Sequence, residues 1–178
     1  MTPFTLRDSI LINAPIERCF QLSTSIEIVR KELGMKAVSH GPATRTSGLV
    51  TAGDTIHWQG WQLGFPNYHV SLISAFDPPN FFQDRMLAGR FRTFEHDHHF
   101  ASTPEGTLLS DEVRFTMPLG IPGLIVGGAI LVPHIRALLH RRFHLLKRIA
   151  ESEEWRTYLP DVSEIRLSRS TLHLARLS

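Results

Sequence analysis

Hydrophobic and polar residues change their spacing twice along this chain. Residues 4 to 12, FTLRDSILI, have the length and β-branched content of a strand, and Asn13-Ala14-Pro15 then reads as a turn into a helix entered by proline. From about 15 to 33, Ile16, Phe20, Ile26 and Val29 supply the apolar positions of two short helices. Ser23 or Thr24 is the expected cap of the second, and Gly34 closes it. From about 45 to 117 the period becomes two. Turn chemistry falls at Gly53-Asp54, at Asp77-Pro78-Pro79-Asn80, at Gly89-Arg90 and at residues 103 to 106, which predicts six short strands. Their connections are too short for crossover helices, so the sheet is expected to be an antiparallel meander. After Pro118 the period is 3.6, with Ile135, Leu138, Leu139, Leu146 and Ile149 on one stripe of a helix running to about Glu154. Pro133 either opens that helix or kinks an earlier segment.

The most informative stretch is FRTFEHDHHFASTPEGTLLSDEVRFTMP, residues 91 to 118. Its first strand carries Phe94, His96, His98 and Phe100 on one face and Thr93, Glu95, Asp97 and His99 on the other. The second carries Leu109, Asp111, Val113 and Phe115 opposite Ser110, Glu112, Arg114 and Thr116. A four-residue loop over 103 to 106 pairs Phe100 with Leu109, His98 with Asp111, His96 with Val113 and Phe94 with Phe115. Both drier faces then coincide, as a correct register requires. A slip of two would put His96 opposite Asp111 instead, and either way one carboxylate and one or two imidazoles share an otherwise apolar face.

Carried back through a two-residue turn at Gly89-Arg90, the same parity turns Phe81, Gln83, Arg85 and Leu87 inward, and beyond Pro78-Pro79 it turns Val70, Leu72, Ser74 and Phe76 inward. A buried carboxylate needs partners, so Asp111 must meet imidazole, water, Arg or a ligand. Three roles stay open for the group: a structural His–Asp pair, a polar anchor at the end of an apolar pocket, and general acid/base catalysis with His96, His98 and Asp111 as candidates.

Composition narrows the function classes. Apolar residues make up 42% and charged residues 20% of 178, an ordinary globular mixture that predicts one domain over 1–154, with a C-terminal extension over 155–178 expected to be poorly ordered. Lys plus Arg number 19 and Asp plus Glu 17, too near balance to imply a nucleic-acid partner. The single cysteine, Cys19, allows no intrachain disulfide, and the N-terminal apolar stretch is interrupted by Arg7 and Asp8, so the expected location is the cytoplasm. Leu119 to Pro133, LGIPGLIVGGAILVP, has 15 residues, fewer than the ~20 needed to cross a bilayer. It is expected to lie against the interior or over a pocket mouth, where its glycines would allow gating. The basic residues Arg136, Arg141, Arg142, Lys147 and Arg148 read as a solvated helix face, with at most transient membrane contact. The spacing of His96 with His98, and of His140 with His144, is compatible with metal binding, but no metal and no cofactor is expected. There is no GxSxG elbow, phosphate loop, HExxH helix or dinucleotide fingerprint.

Taken in order, the opening strand into Ala14-Pro15 and Phe20, Gly53-Asp54-Thr55-Ile56-His57-Trp58, Phe76-Asp77-Pro78-Pro79, Phe82-Gln83-Asp84, Gly89-Arg90-Phe91, residues 94–100, Gly106-Thr107, residues 111–115 and Pro118-Leu119-Gly120 carry a family resemblance. Over roughly residues 4 to 152 the chain resembles the helix-grip superfamily of START and birch-pollen-allergen-like proteins (SRPBCC), in its polyketide cyclase/dehydrase-like or CoxG-like branch. The resemblance implies an α+β fold in which a curved antiparallel sheet of about seven strands wraps a long C-terminal helix, with two short helices after the first strand and a cavity between sheet and helix. It implies binding or transport of a hydrophobic small molecule such as a lipid, quinone or polyketide, with a cyclase/dehydratase-type enzyme or a ligand-free regulatory module as alternatives. The expected walls are Trp58, Leu72, Phe76, Phe94, Phe115, Leu131, Ile135 and Leu139, with Arg85, His96, His98 and Asp111 as polar groups. The oligomeric state is left open between monomer and homodimer.

Overall fold

Alternation in FTLRDSILI produces β1 (Phe4–Ile12), whose even positions face inward, and Pro15 then starts α1 (Ile16–Ser23). The description is of a computed structural model and covers residues 3–41 and 44–159. A second short helix, α2 (Ile26–Leu33), ends at Gly34, whose left-handed backbone (φ 64°) terminates it as expected. Its cap position is taken by Ser25 rather than Ser23 or Thr24, and the Ser25 hydroxyl donates to Glu27 instead of capping the backbone.

Seven antiparallel strands make one sheet: β1, β2 (Met35–Val38), β3 (Thr55–Gln62), β4 (Phe65–Asp77), β5 (Phe81–Ala88), β6 (Thr93–Thr103) and β7 (Gly106–Thr116). Their order is β1-β7-β6-β5-β4-β3-β2, so the first strand closes against the last. Five strands, not six, lie between 45 and 117. The seventh is β2, immediately after Gly34, and β4 is a single 13-residue strand that register shifts bend at Val70/Ser71 and Ile73/Ala75. The β6–β7 register is the expected one, with His98 opposite Asp111 and Phe94 opposite Phe115. Its loop is shorter than expected, because Thr103 already pairs with Gly106.

Past Pro118 the chain is helical from Gly120 to Glu151, as α3 (Gly120–Val126), a π turn (Gly127–Leu131) and α4 (Val132–Glu151). The wide turn lies directly before Pro133, which has no N–H to give the ladder, so the helix is interrupted in geometry but not in course. Phe143, Leu146 and Ile149 of α4 pack with Ile12, Phe20, Leu22 and Phe100 in the largest core cluster. A short 3-10 helix (Glu153–Thr157) follows, and Leu159 is buried against the same cluster. The rest of the expected extension, 160–178, lies outside the described residues. Two further clusters flank the sheet: Leu6, Val113, Phe115 and Met117 with Ile135 and Leu139, and Ile26, Met35, Ile56, Trp58 and Ile73.

A candidate ligand pocket with a buried ionic end

Four elements converge on one buried polar group. Alternation along β6 turns His96 and His98 to the concave face, and β7 brings Asp111 directly opposite His98. The apolar stripe of α4 runs Ile135, Leu139, Leu146 and Ile149. Arg142 occupies the position between Leu139 and Leu146 on that stripe and is buried with it. On α2, Glu32 falls one turn after the buried Ile28 and is likewise buried.

Asp111 is the hub. His98 Nδ1 lies 2.9 Å from Asp111 Oδ1, and Arg142 Nε donates to Oδ2 at 3.1 Å. Arg142 Nη1 donates to Glu32 Oε2 at 3.2 Å. Arg142 Nη2 is also 3.3 Å from His98 Nδ1, but a guanidinium can only donate. The charged acceptor draws the imidazole hydrogen to Nδ1, so His98 Nδ1–H donates to Asp111 and His98 Nε2 keeps a lone pair. His96 Nε2 is 3.1 Å from Asp111 Oδ2 but lacks hydrogen-bond alignment, which leaves a buried nitrogen without a partner. The rings of His96 and His98 are 3.8 Å apart, and Phe82 stacks on His98 at 4.1 Å.

Burial drives the protonation states, and the fixed charges then decide between them. His98 is held well below its ordinary value by desolvation and by His96, against the pull of Asp111, so it is neutral at pH 7. Burial pushes the Asp111 carboxyl up, but His98, Arg142 and His96 outweigh it and hold Asp111 ionised, well below its usual range. Burial raises Glu32, with Arg142 and His96 opposing. Arg142 loses to desolvation but gains more from Asp111 and Glu32, and is raised. Two carboxylates thus face one guanidinium, and the raised Glu32 is the one that takes up the balancing proton first.

Above this group lies a cavity of about 670 Å³ between the sheet and the helices. The value is within the range of ~300–1,000 Å³ common for small-molecule sites. Trp58, Phe94, Leu131, Ile135 and Leu139 form its wall, and Glu32, His96, His98 and Arg142 face it. Phe76, Phe115 and Asp111 sit on the inward side of the sheet but behind the wall, in the core and beneath the imidazoles. Leu72 and Arg85 do not contribute. They pair with each other across β4 and β5 on the outer face, and Arg85 is exposed. For Leu72 the expectation fails at the register shift between Ile73 and Ala75, and for Arg85 at one turn. Ala88 and Thr93 bound a longer connection than two residues, so Arg85 pairs with Glu95 while Phe82 pairs with His98 and Asp84 with His96. One residue of register moves a whole strand to its other face. Phe82 and Asp84 line the cavity instead, while Phe81, Gln83 and Leu87 do not. On β4, Ser71 and Ile73 line it in place of Leu72 and Ser74.

Within the buried ionic group, Glu32 and Arg142 are the residues not legible from the charge pattern of the sequence. Charge spacing groups Arg142 with its basic neighbours, yet its place on the Ile135-Leu139-Leu146-Ile149 stripe is a visible signal: a charge at an apolar position. His96, His98 and Asp111 offer ligand atoms within 4.8 Å of one another, but a guanidinium holds one Asp111 oxygen and an imidazole N–H the other.

No family model matches the sequence, and no curated protein matches it. Solved structures do. The chain superposes on Ara h 8.0201 with a TM-score of 0.59 at 12% identity, covering 84% of this chain and 98% of that one. Against TTHA0849 from Thermus thermophilus the TM-score is 0.61 at 18% identity, over 80% and 96%. The fold is a helix grip. A third such structure is the di-domain ARO/CYC protein StfQ of the steffimycin biosynthetic pathway, matched with a TM-score of 0.62 at 12% identity over 84% of this chain and 51% of that one. In this helix grip the long helix contributes a charge, Arg142, to the closed end of the space it covers.

Proposed function

We propose that this protein binds a hydrophobic small molecule in the space between sheet and helix, with the molecule's polar end against His96, His98 and Glu32. The observation that carries the reading is the cavity itself: apolar walls from three core clusters that close on a buried ionic group with an unpartnered imidazole nitrogen. Apolar ligand surface entering it would contribute about 25 cal/mol per Å², offset by ordering costs. The polar end would set orientation. His98 Nε2 accepts, so a hydroxyl that can donate to it suits the end better than a carboxylate.

The test is uptake of a neutral apolar dye, Nile red, with native mass spectrometry of the freshly purified protein to identify any retained molecule. Leu138 lines the cavity and is half-buried, so Leu138→Trp places an indole into the space. Dye uptake is expected to fall at least tenfold in that variant with the circular dichroism unchanged. Equal uptake by both proteins would reject the cavity as the binding place.

A second reading is catalysis of the cyclase or dehydratase type, favoured by one observation: the neutral His98 oriented by Asp111 is arranged as a general base toward the cavity. A neighbour of this fold is an ARO/CYC protein. The readings separate on an identified bound molecule. Asp111→Asn abolishing its turnover while its binding persists selects the enzyme, and no turnover by the unaltered protein selects the carrier.

A further inference from the structure

The cavity mouth is surrounded by apolar side chains that nothing covers among the described residues. At the turn between β3 and β4, Trp61 is 68% exposed and Phe65 65%. Across the mouth, Leu119 is 81% exposed, Ile121 74% and Ile125 65%, on α3 and the residue that starts it. The two groups belong to one rim. Leu63 and Phe65 line the same cavity as Val126 and Ile130, and His134 Nε2 meets Gln62 Oε1 at 3.0 Å, which ties the helix to the hairpin.

Backbone geometry sets this exposure. Two non-glycine residues among those described have positive φ, Leu63 at 53° and Leu119 at 69°, and both are leucines of this rim with their side chains in solvent. A side chain in the left-handed region is disfavoured, and here it buries no leucine in compensation. Hydropathy alone predicts that the segment Leu119 to Pro133 lies against the interior or over the mouth. It lies at the mouth with its apolar side turned out. By length and composition the run Gly120–Glu151 could cross a membrane, but its second half is held to the sheet by Arg142, Phe143, Leu146 and Ile149. Only its first half is available to lipid.

Charge identifies the occupant. Residues 55 to 76 contain no charged side chain, and residues 113 to 150 contain no Asp or Glu, whereas Arg136 and Arg141 are exposed there, Arg148 being paired with Glu154. Lys36 and Arg90 share a surface groove with Trp61, and Arg90 Nη2 donates to Pro66 O at the hairpin tip at 2.6 Å. A second copy of this chain related by a two-fold axis would set these cations against themselves. An anionic bilayer instead accepts the apolar rim and neutralises the cations around it.

We propose that the mouth face docks on anionic lipid bilayers, with α3 and the β3–β4 turn in the interface and the cavity opening toward the lipid. The experiment is co-sedimentation with vesicles of phosphatidylcholine alone and of phosphatidylcholine mixed two to one with phosphatidylglycerol. The full chain is expected to bind the anionic vesicles at least tenfold better, less so as salt rises. Ile121→Asp combined with Ile125→Asp should abolish that binding, and Arg136→Glu should reduce the preference for anionic lipid. Nile red uptake should persist in all three proteins, which keeps this result separate from the cavity reading. Absence of binding to either vesicle, equal binding to both, or undiminished binding by the double variant would overturn the proposal. So would sedimentation showing a dimer that the double variant dissociates.

Discussion

Arg142 carries its charge where almost no solvent reaches, with a side chain 3% exposed. Its worth is best read from what its loss would leave behind. Arg142→Met removes the guanidinium from two buried carboxyls and is expected to cost about 3–5 kcal/mol, as for other broken buried ion pairs, measured by urea denaturation. Adding Glu32→Gln and Asp111→Asn should recover part of that loss, because the remaining groups no longer bury charge. The same cluster makes stability depend on pH with opposed signs. The His98 pKa is lower in the fold than its ordinary 6.5, so below that pH the unfolded chain takes up a proton that the folded one refuses, and stability falls on acidification. His69, lowered by burial, adds to this slope. Glu32 is raised, so the folded state takes up its proton first, and that contribution is present at low pH and lost as pH rises through the folded value. Glu32→Gln is therefore expected to steepen the stability loss on acidification below pH 6.5, a change visible in urea midpoints.

At the level of strands and helices, small differences in turn length decided which side chains meet. The β6–β7 hairpin was legible because both strands alternate without interruption and their dry faces agree in a single register. The β5–β6 connection was not, because Gly89 to Arg92 offered several turn lengths, and an odd difference puts Phe82 rather than Gln83 beside the imidazoles. Gly106 is the backbone position on which the good hairpin rests. Its φ is 136°, and a Cβ there would come within 2.2 Å of Ile12 O. Gly106→Ala should cost more than about 1 kcal/mol and loosen the β1–β7 edge, read as a lower thermal midpoint and faster amide exchange over 106–110. In the unaltered protein, amides of α3 and the π turn should exchange faster than those of β6 and β7, since most of their side chains are exposed. Equal protection would show the rim to be as rigid as the sheet.

The whole molecule keeps a space that neither its sheet nor its long helix would make alone. The first and last strands pair, the sheet curves, and α4 crosses the concavity with its apolar stripe inward. Three clusters then meet around an opening instead of merging into one core. A molecule that fills the opening in the native state and has no affinity for the unfolded chain stabilises by mass action. Extraction of any retained molecule is thus expected to lower the thermal midpoint, and its return to restore it, whereas Leu138→Trp should show a smaller shift in both directions. A midpoint indifferent to extraction would mean that nothing bound there contributes to the fold.

Local chemistry alone determined much of this protein. The order strand, two helices, meander and long helix followed from spacing and turn residues, and so did the meeting of His98 with Asp111, because period-two alternation and a short loop act between neighbours in the chain. What only the tertiary structure decided are the contacts between distant segments. Glu32 and Arg142 are 110 residues apart and meet because two helices settle on one concave face. Arg142 looks like one more cation of a wet surface until the direction of its stripe is known. The sides taken by β4 and β5 needed the bulges and the turn length, which side-chain pattern does not encode. The exposure of Leu63 and Leu119 needed a backbone conformation that hydropathy does not report. Periodicity states which face of each element is dry; which dry faces share a space, and which charge lies among them, depends on how the elements pack.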